Sequence, residues 1–168
     1  ISVAYDCEKR LGDLLDLTNS EAAQWLEETL ARVFAQNQLE FFRLDYNTSI
    51  GPGARVIRDG YAENSYWRYY EAQYALYERL RQRFPDIIFE SCAGGGGRTD
   101  IGQVRRFSHT WVTDWQIAPR AFTITNGMTM ALPPESVDRL VGGQAGHTTA
   151  ELDFQLRLLL FVRPTFGF

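Results

Sequence analysis

Two aspartates stand where short apolar stretches give way to loop. Asp45 follows the run Glu40 to Leu44, and Asp114 follows Thr110-Trp111-Val112-Thr113. An acid at the C-terminal end of a parallel strand, opening into loop, is where α/β barrels keep their chemistry. A lone Asp in such a place more often caps a turn or a helix. A second one, with a single strand between the two, changes the balance. Neighbouring strands lie about 4.8 Å apart, so tips two strands apart are separated by roughly 10 Å. Each carboxylate can lean inward over the barrel mouth. The expected gap between the carboxyl groups is then about 5–5.5 Å, the separation that serves a retaining glycosidase. At that range an anion at one site favours a proton at the other. Trp111 and Trp115 flank Asp114 and would dry its surroundings. Asp45 is therefore expected to be the nucleophile and Asp114 the general acid/base.

The elements that must position these acids are legible as alternating helices and strands. Ile1 to Asp16 reads as loop with short apolar pieces. Thr18-Asn19-Ser20-Glu21 offers N-cap residues, and Ala22, Trp25, Leu26, Thr29, Leu30, Val33 and Phe34 follow at helical spacing up to a C-cap at Asn37. Phe41 to Leu44 reads as a strand covered on both faces. After the loop 46–53, Asn64-Ser65 opens a second helix. Its stripe Tyr66, Tyr70, Tyr74, Tyr77, Leu80 and Phe84 is expected to face a core, and Arg68, Arg79, Arg81 and Arg83 to face solvent. Ile87-Ile88-Phe89 and Thr110 to Thr113 are further strands, with a short helix within 99–107. Pro119 to Ala131 reads as helix, with Ile124, Met128 and Ala131 inward. Val141-Gly142-Gly143 reads as a turn, and Thr148 to Leu160 as a last helix burying Leu152, Leu156, Leu159 and Leu160. Strand–helix alternation without a hairpin signal predicts a parallel sheet in an α/β fold.

Between the two acids lies Glu90-Ser91-Cys92-Ala93-Gly94-Gly95-Gly96-Gly97-Arg98. No Gly-Lys-Ser/Thr follows, so this is not a phosphate-binding loop, and it is not a dinucleotide fingerprint. Four glycines after a strand let the backbone approach a ligand closely, or make a flexible turn. Neither His109 nor His147 is placed by sequence to activate Cys92, which reads as a small wall or packing residue. The histidines read as structural or exposed. Cys7 and Cys92 lack metal-ligand spacing, so no metal is expected. Asn47-Thr48-Ser49 matches a glycosylation sequon, taken as chance beside a site.

The bulk numbers exclude some classes. With 168 residues, 45% of them hydrophobic and 14% aromatic, the chain can build one sizeable domain, and disorder is not expected. A net charge of −4 without a basic stripe argues against nucleic acid. No apolar run reaches the length of a membrane span. No targeting segment is visible, which leaves cytoplasmic and secreted placement both open. A complete barrel needs about 250 residues, and the chain closes on the apolar stretch Val162 to Phe168, so a piece of a larger enzyme is expected.

Three blocks resemble the catalytic barrel of the α-galactosidases of glycoside hydrolase family thirty-six, the melibiase group. Arg43-Leu44-Asp45-Tyr46-Asn47 is similar to the family's Lys-Trp-Asp-Met-Asn block, which holds the nucleophile. Glu90 to Asp100 is similar to its Glu-Asn-Cys-Ser-Gly-Gly-Gly-Gly-Arg-Phe-Asp block. Trp111-Val112-Thr113-Asp114 is similar to its Trp-Thr-Ser-Asp block, which holds the acid/base. The resemblance implies a (β/α)8 TIM barrel, represented over residues 1–168 by a single partial domain spanning about strands four to eight. It implies retaining hydrolysis of terminal α-galactosides with no cofactor, the remaining barrel and β-domains coming from the rest of the full-length chain. It implies that Arg43, Asn47, Cys92, Gly94, Gly95, Arg98, Trp111 and Trp115 bind the sugar. Arg43 stands in place of the family Lys, Leu44 in place of its Trp, and Trp115 to Pro119 in place of an Asn/Asp-Thr-Asp-Ala stretch. An α-N-acetylgalactosaminide or another α-glycoside is the alternative substrate, and a non-catalytic carbohydrate-binding lobe the alternative class. A metal-dependent hydrolase fits least, for want of a ligand cluster.

Overall fold

The computed structural model describes residues 2–3, 14–45, 55–64, 66–115, 119–142 and 152–167. In chain order the elements are β1 (Ser2–Val3), β2 (Leu14–Leu15), α1 (Ser20–Asn37), β3 (Phe41–Asp45), β4 (Arg55–Arg58), β5 (Tyr61–Asn64), α2 (Tyr66–Arg83), β6 (Ile88–Cys92), α3 (Ile101–Val104), β7 (His109–Trp111), α4 (Arg120–Thr129), a 3-10 turn (Pro134–Ser136), β8 (Val137–Gly142), α5 (Leu152–Leu158) and β9 (Arg163–Gly167). They fall into two units, one from Ile1–Glu40 and Thr48–Ile87, the other from Phe41–Asn47 and Ile88–Phe168.

The first unit is built on α1 and α2. Asn19 starts α1 because its side-chain oxygen accepts from the backbone N–H of Glu21 at 2.9 Å and of Ala22 at 3.2 Å. The helix ends one residue later than expected. Gln38 takes a left-handed φ of 50° and turns its N–H back to Ala35 and Phe34, while the Asn37 amide donates to the Val33 carbonyl. The rings of Phe34 and Phe84 meet edge to face at 5.4 Å. Arg79 and Arg83 are exposed, as expected, and reach Glu27 and Glu28, pairs worth about 0–1 kcal/mol each at such exposure.

The buried faces of both helices are narrower than the periodicity predicts. In α1, Ala22, Ala31 and Phe34 are buried, while Trp25 and Val33 are exposed. In α2 the buried set is Tyr69, Gln73, Leu76, Tyr77 and Leu80. The Tyr66 and Tyr70 rings meet edge to face and the Tyr70 and Tyr74 rings meet tilted, and none of the three is fully buried. A hairpin also went unread: β4 and β5 pair antiparallel, with Arg58 opposite Tyr61. Asp59 and Gly60 close it at φ of 52° and 82°, the two positive angles that a tight hairpin turn demands and that Asp-Gly supplies.

The second unit is a parallel five-stranded sheet in the order β3-β6-β7-β8-β9. Every strand lies beside its chain neighbour in that sheet, which is barrel order and not doubly wound order. The register aligns Arg43 with Glu90, Asp45 with Cys92, and Glu90 with His109. Against the expectation of a strand covered on both faces, β3 is the edge of the sheet; its residues alternate between exposed and half-buried, and Phe41 is 46% exposed.

Val137–Gly142, part of which reads as a turn, is a full strand, and so is Arg163–Gly167. Val112, Leu132 and Val137 form a buried cluster that Ile124 and Met128 of α4 pack against, as expected, together with Val104 and Val162. Ala131 is exposed, as are Leu156 and Leu160, whereas Gln155 of α5 and Leu159, just beyond its end, are buried. Loop residues 46–53, Cys7, His147 and the expected helix start at Thr148 lie outside the described residues.

Candidate functional site

Side chains alternate across a strand, so Arg43 and Asp45 share one face of β3, Glu90 and Cys92 the same face of β6, and His109 and Trp111 that of β7. The acids follow from this placement. Asp45 is the last residue of β3, and β6 separates that strand from β7. Asp114 stands three residues beyond the end of β7, in a bend.

Arg43 gathers the first half of the site. Its Nη1 lies 2.7 Å from Glu90 Oε1, and its Nη2 donates to Cys92 Sγ at 3.1 Å and lies 3.6 Å from Asp45 Oδ2. Its guanidinium also sits 4.6 Å over the Trp111 ring. Burial works against the charged form of Arg43, but Glu90, Cys92 and Asp45 outweigh it and hold its pKa above the ordinary value. Cys92 is buried and free. Burial pushes its thiol up, opposed by a hydrogen bond from the Gly95 backbone and by Arg43, so it is a poor nucleophile here.

Trp111 and the glycines hold the second half. The buried indole donates from Nε1 to Asp114 Oδ1 at 2.8 Å. The glycine run is neither a loose turn nor free to lie open. Gly94 and Gly95 take φ of 53° and 75°. A Cβ on Gly95 would stand 2.7 Å from the Asp114 backbone nitrogen; one on Gly96 would overlap the Val112 carbonyl oxygen; one on Gly97 would stand 2.6 Å from the Ala93 carbonyl oxygen. The glycines therefore let this loop close onto the segment carrying Asp114. The backbone they approach is the chain's own.

The remaining expected residues are placed less centrally. Trp115 does not dry its neighbour: it is 45% exposed, its ring carries the Arg120 guanidinium at 4.6 Å, and Asp114 is itself exposed. Arg98 is half-buried in the turn after the glycines. Asn47 lies outside the described residues.

Sequence reasoning missed the polar layer beneath the acids. Glu90, His109 and Asp138 are buried, with His109 Nε2 at 2.8 Å from Glu90 Oε2 and 3.3 Å from Asp138 Oδ2. Burial opposes the charged imidazole, but hydrogen bonds to Asp138 and Glu90 prevail and hold its pKa above the ordinary value. Burial likewise opposes the Asp138 anion, and hydrogen bonds from His109 and Thr165 prevail and hold its pKa below the ordinary value. The donor atoms of Glu90, His109 and Asp138 lie within 4.8 Å of one another, close enough to surround a cation. However, the His109–Glu90 spacing is a hydrogen bond, and Arg43 already engages the other Glu90 oxygen. The signal was present in strand parity: Arg43, Glu90 and His109 each stand two positions before the last residue of their strands.

A parallel sheet in chain order, with acids at and just beyond its carboxyl-terminal edge, is part of an α/β barrel mouth. The melibiase family profile matches residues 4–168, and the chain belongs to that family. It is 28% identical over 156 residues to the bifunctional α-galactosidase/sucrose kinase AgaSK of Mediterraneibacter gnavus, covering 92% of this chain and 16% of that protein. It is 28% identical over 151 residues to an α-galactosidase of Escherichia coli, covering 88% and 20%. A variant of the GH36 α-galactosidase AgaA from Geobacillus stearothermophilus, in complex with stachyose, superposes with a TM-score of 0.84 at 21% identity, over 99% of this chain and 24% of that one. That likeness gives the fold: the five strands are part of a (β/α)8 barrel. The chain thus spans between 16% and 24% of the length of these relatives.

Proposed function

We propose that this chain supplies both catalytic carboxyl groups of a retaining α-galactosidase. The observation that supports it most is that β3 and β7, on either side of β6 in the parallel sheet, each lead into an aspartate, with Arg43 in contact with Asp45 and Trp111 in contact with Asp114. Asp45 attacks the anomeric carbon as a carboxylate, with the Arg43 guanidinium 3.6 Å from its Oδ2. As the bond to the leaving oxygen breaks, Asp114 gives that oxygen its proton. Trp111 donates to Oδ1 of Asp114, which leaves Oδ2 to carry the proton. Water then attacks the glycosyl ester and gives its proton to Asp114; two inversions leave the configuration unchanged.

The sugar would lie over Arg43, Cys92, Gly94, Gly95 and Trp111, with Asn47, Arg98 and Trp115 at the margin. The structural relative in complex with stachyose favours an α-linked galactosyl oligosaccharide as substrate. The test is Asp45→Ala in the full-length gene product. Turnover of an aryl α-galactoside should vanish, and added azide should yield a β-galactosyl azide. Activity that persists in the variant would end this reading, as would galactose binding without hydrolysis by the wild-type protein.

A further inference from the structure

One polar residue from each of the five strands joins a continuous chain of contacts. Arg43 of β3 meets Glu90 of β6 at 2.7 Å, Glu90 meets His109 of β7 at 2.8 Å, and His109 meets Asp138 of β8 at 3.3 Å. Thr165 of β9 donates to both Asp138 oxygens, at 2.7 and 2.9 Å. The side chains of Glu90, His109 and Asp138 are at most 2% exposed. The interior layers of such a barrel are ordinarily filled by branched apolar residues. Burying two carboxylates costs several kcal/mol per ion unless geometry and hydrogen bonds repay it, so an ionic layer here is weak as a stabilising device. It is better suited to fixing orientation. Among the described residues its link to the site is Arg43, whose other nitrogen reaches Cys92 Sγ and Asp45 Oδ2.

We propose that His109 and Asp138 are positioning residues: they hold Glu90, and Glu90 holds the Arg43 guanidinium against Asp45. The proposal rests on the reading of Asp45 as nucleophile. The groups that face His109 are the Phe41 ring of β3 at 6.2 Å, Glu90 of β6, Asp138 of β8 and Arg163 of β9. Arg163 opposes a charge on His109, and the two carboxylates favour it. With the ring protonated, one positive charge sits between two negative ones. Nδ1 is buried without a hydrogen-bond partner, so the proton that leaves is the one on Nδ1: Nε2–H still reaches both carboxylates, but the positive charge that holds them together is gone.

The test uses the full-length gene product and the variants His109→Gln and Asp138→Asn. His109→Gln keeps an N–H donor near the Nε2 position and removes the charge. It is expected to lower kcat on an aryl α-galactoside by about 10–100-fold, the scale of a small misplacement of a reacting group, with KM changed little. It should also make the alkaline limb of the pH profile shallower, because the acid/base must still hold its proton. Asp138→Asn should move that limb to lower pH. In a His109→Gln protein that melts like wild type, an unchanged kcat and pH profile would overturn the proposal. If His109→Gln fails to fold, an unmoved limb in Asp138→Asn would overturn it. A second readout needs no turnover: nitrogen-15 NMR of the guanidinium. Arg43 Nη signals should be resolved in the wild type and averaged in either variant. If the wild type hydrolyses no α-glycoside, the functional reading fails; signals equally resolved in all three proteins would show that the positioning claim fails by itself.

Discussion

Gly95→Ala separates the cost of backbone strain from the cost of displacing Asp114. At φ of 75° an alanine pays the left-handed penalty of about 1–2 kcal/mol. It also meets the Asp114 backbone nitrogen at 2.7 Å and the Thr113 Cα at 3.2 Å. Restoring an ordinary contact of about 3.5 Å requires the acid-bearing backbone to recede by about 0.8 Å. A shift near 1 Å at a reacting group costs about a hundredfold in rate, so kcat should fall by about 10–100-fold. Gly60→Ala is the matched control. Gly60 has φ of 82° in the β4–β5 turn, and nothing lies within 4 Å of its would-be Cβ. Gly60→Ala should lose about 1–2 kcal/mol in urea unfolding; Gly95→Ala should lose at least as much, since it adds a clash, and only Gly95→Ala should lose kcat. The assay is steady-state hydrolysis of an α-galactoside with a poor leaving group. If the two variants retained the same kcat, the claim that the glycine run positions Asp114 would be refuted.

Three further outcomes are expected. Trp111→Phe keeps a ring beneath Arg43 but loses the N–H bonded to Asp114; turnover of a poor leaving group should fall by about tenfold or more, within the range of general acid catalysis, while a dinitrophenyl galactoside should be nearly unaffected. Asn19→Ala removes the cap of α1 and should cost about 1 kcal/mol in urea unfolding without changing kcat. The polar layer makes stability depend on pH in two directions. The His109 contribution is complete below its unfolded value near 6.5 and is lost as pH rises through its raised folded pKa. The Asp138 contribution is present above 3.8 and is lost as pH falls through its lowered folded pKa. Melts across pH 3–9 should therefore be highest between those limits, and Asp138→Asn should flatten both flanks.

The sequence carried the parallel sheet and the order of its first three strands because the runs Phe41 to Leu44, Ile87-Ile88-Phe89 and Thr110 to Thr113 are local signals. Two strands escaped it for physical reasons. Val137–Gly142 carries Asp138 and Arg139, which break its apolar run, and it runs into Val141-Gly142-Gly143, whose glycines read as a turn. Arg163–Gly167 includes a proline and opens on a charge. Periodicity also overstated the helices: Trp25 and Val33 of α1 and Tyr66 of α2 sit at core spacing yet are exposed, because spacing gives a face and not what covers it. The glycine run was readable as a site of close approach, but whether a ligand or the chain itself approaches is a tertiary fact. The layer from Arg43 to Thr165 was unreadable residue by residue, since each polar group becomes meaningful only when the strands bearing the others lie beside it.

The most direct measurement is active-site labelling of the full-length gene product with an activated fluorosugar of α-galactosyl configuration, followed by mass analysis of the labelled peptide. A covalent glycosyl ester on Asp45, absent from Asp45→Ala and slow to turn over, is the predicted result. A label on another residue, or hydrolysis that inverts the anomeric centre with no covalent adduct, would contradict it.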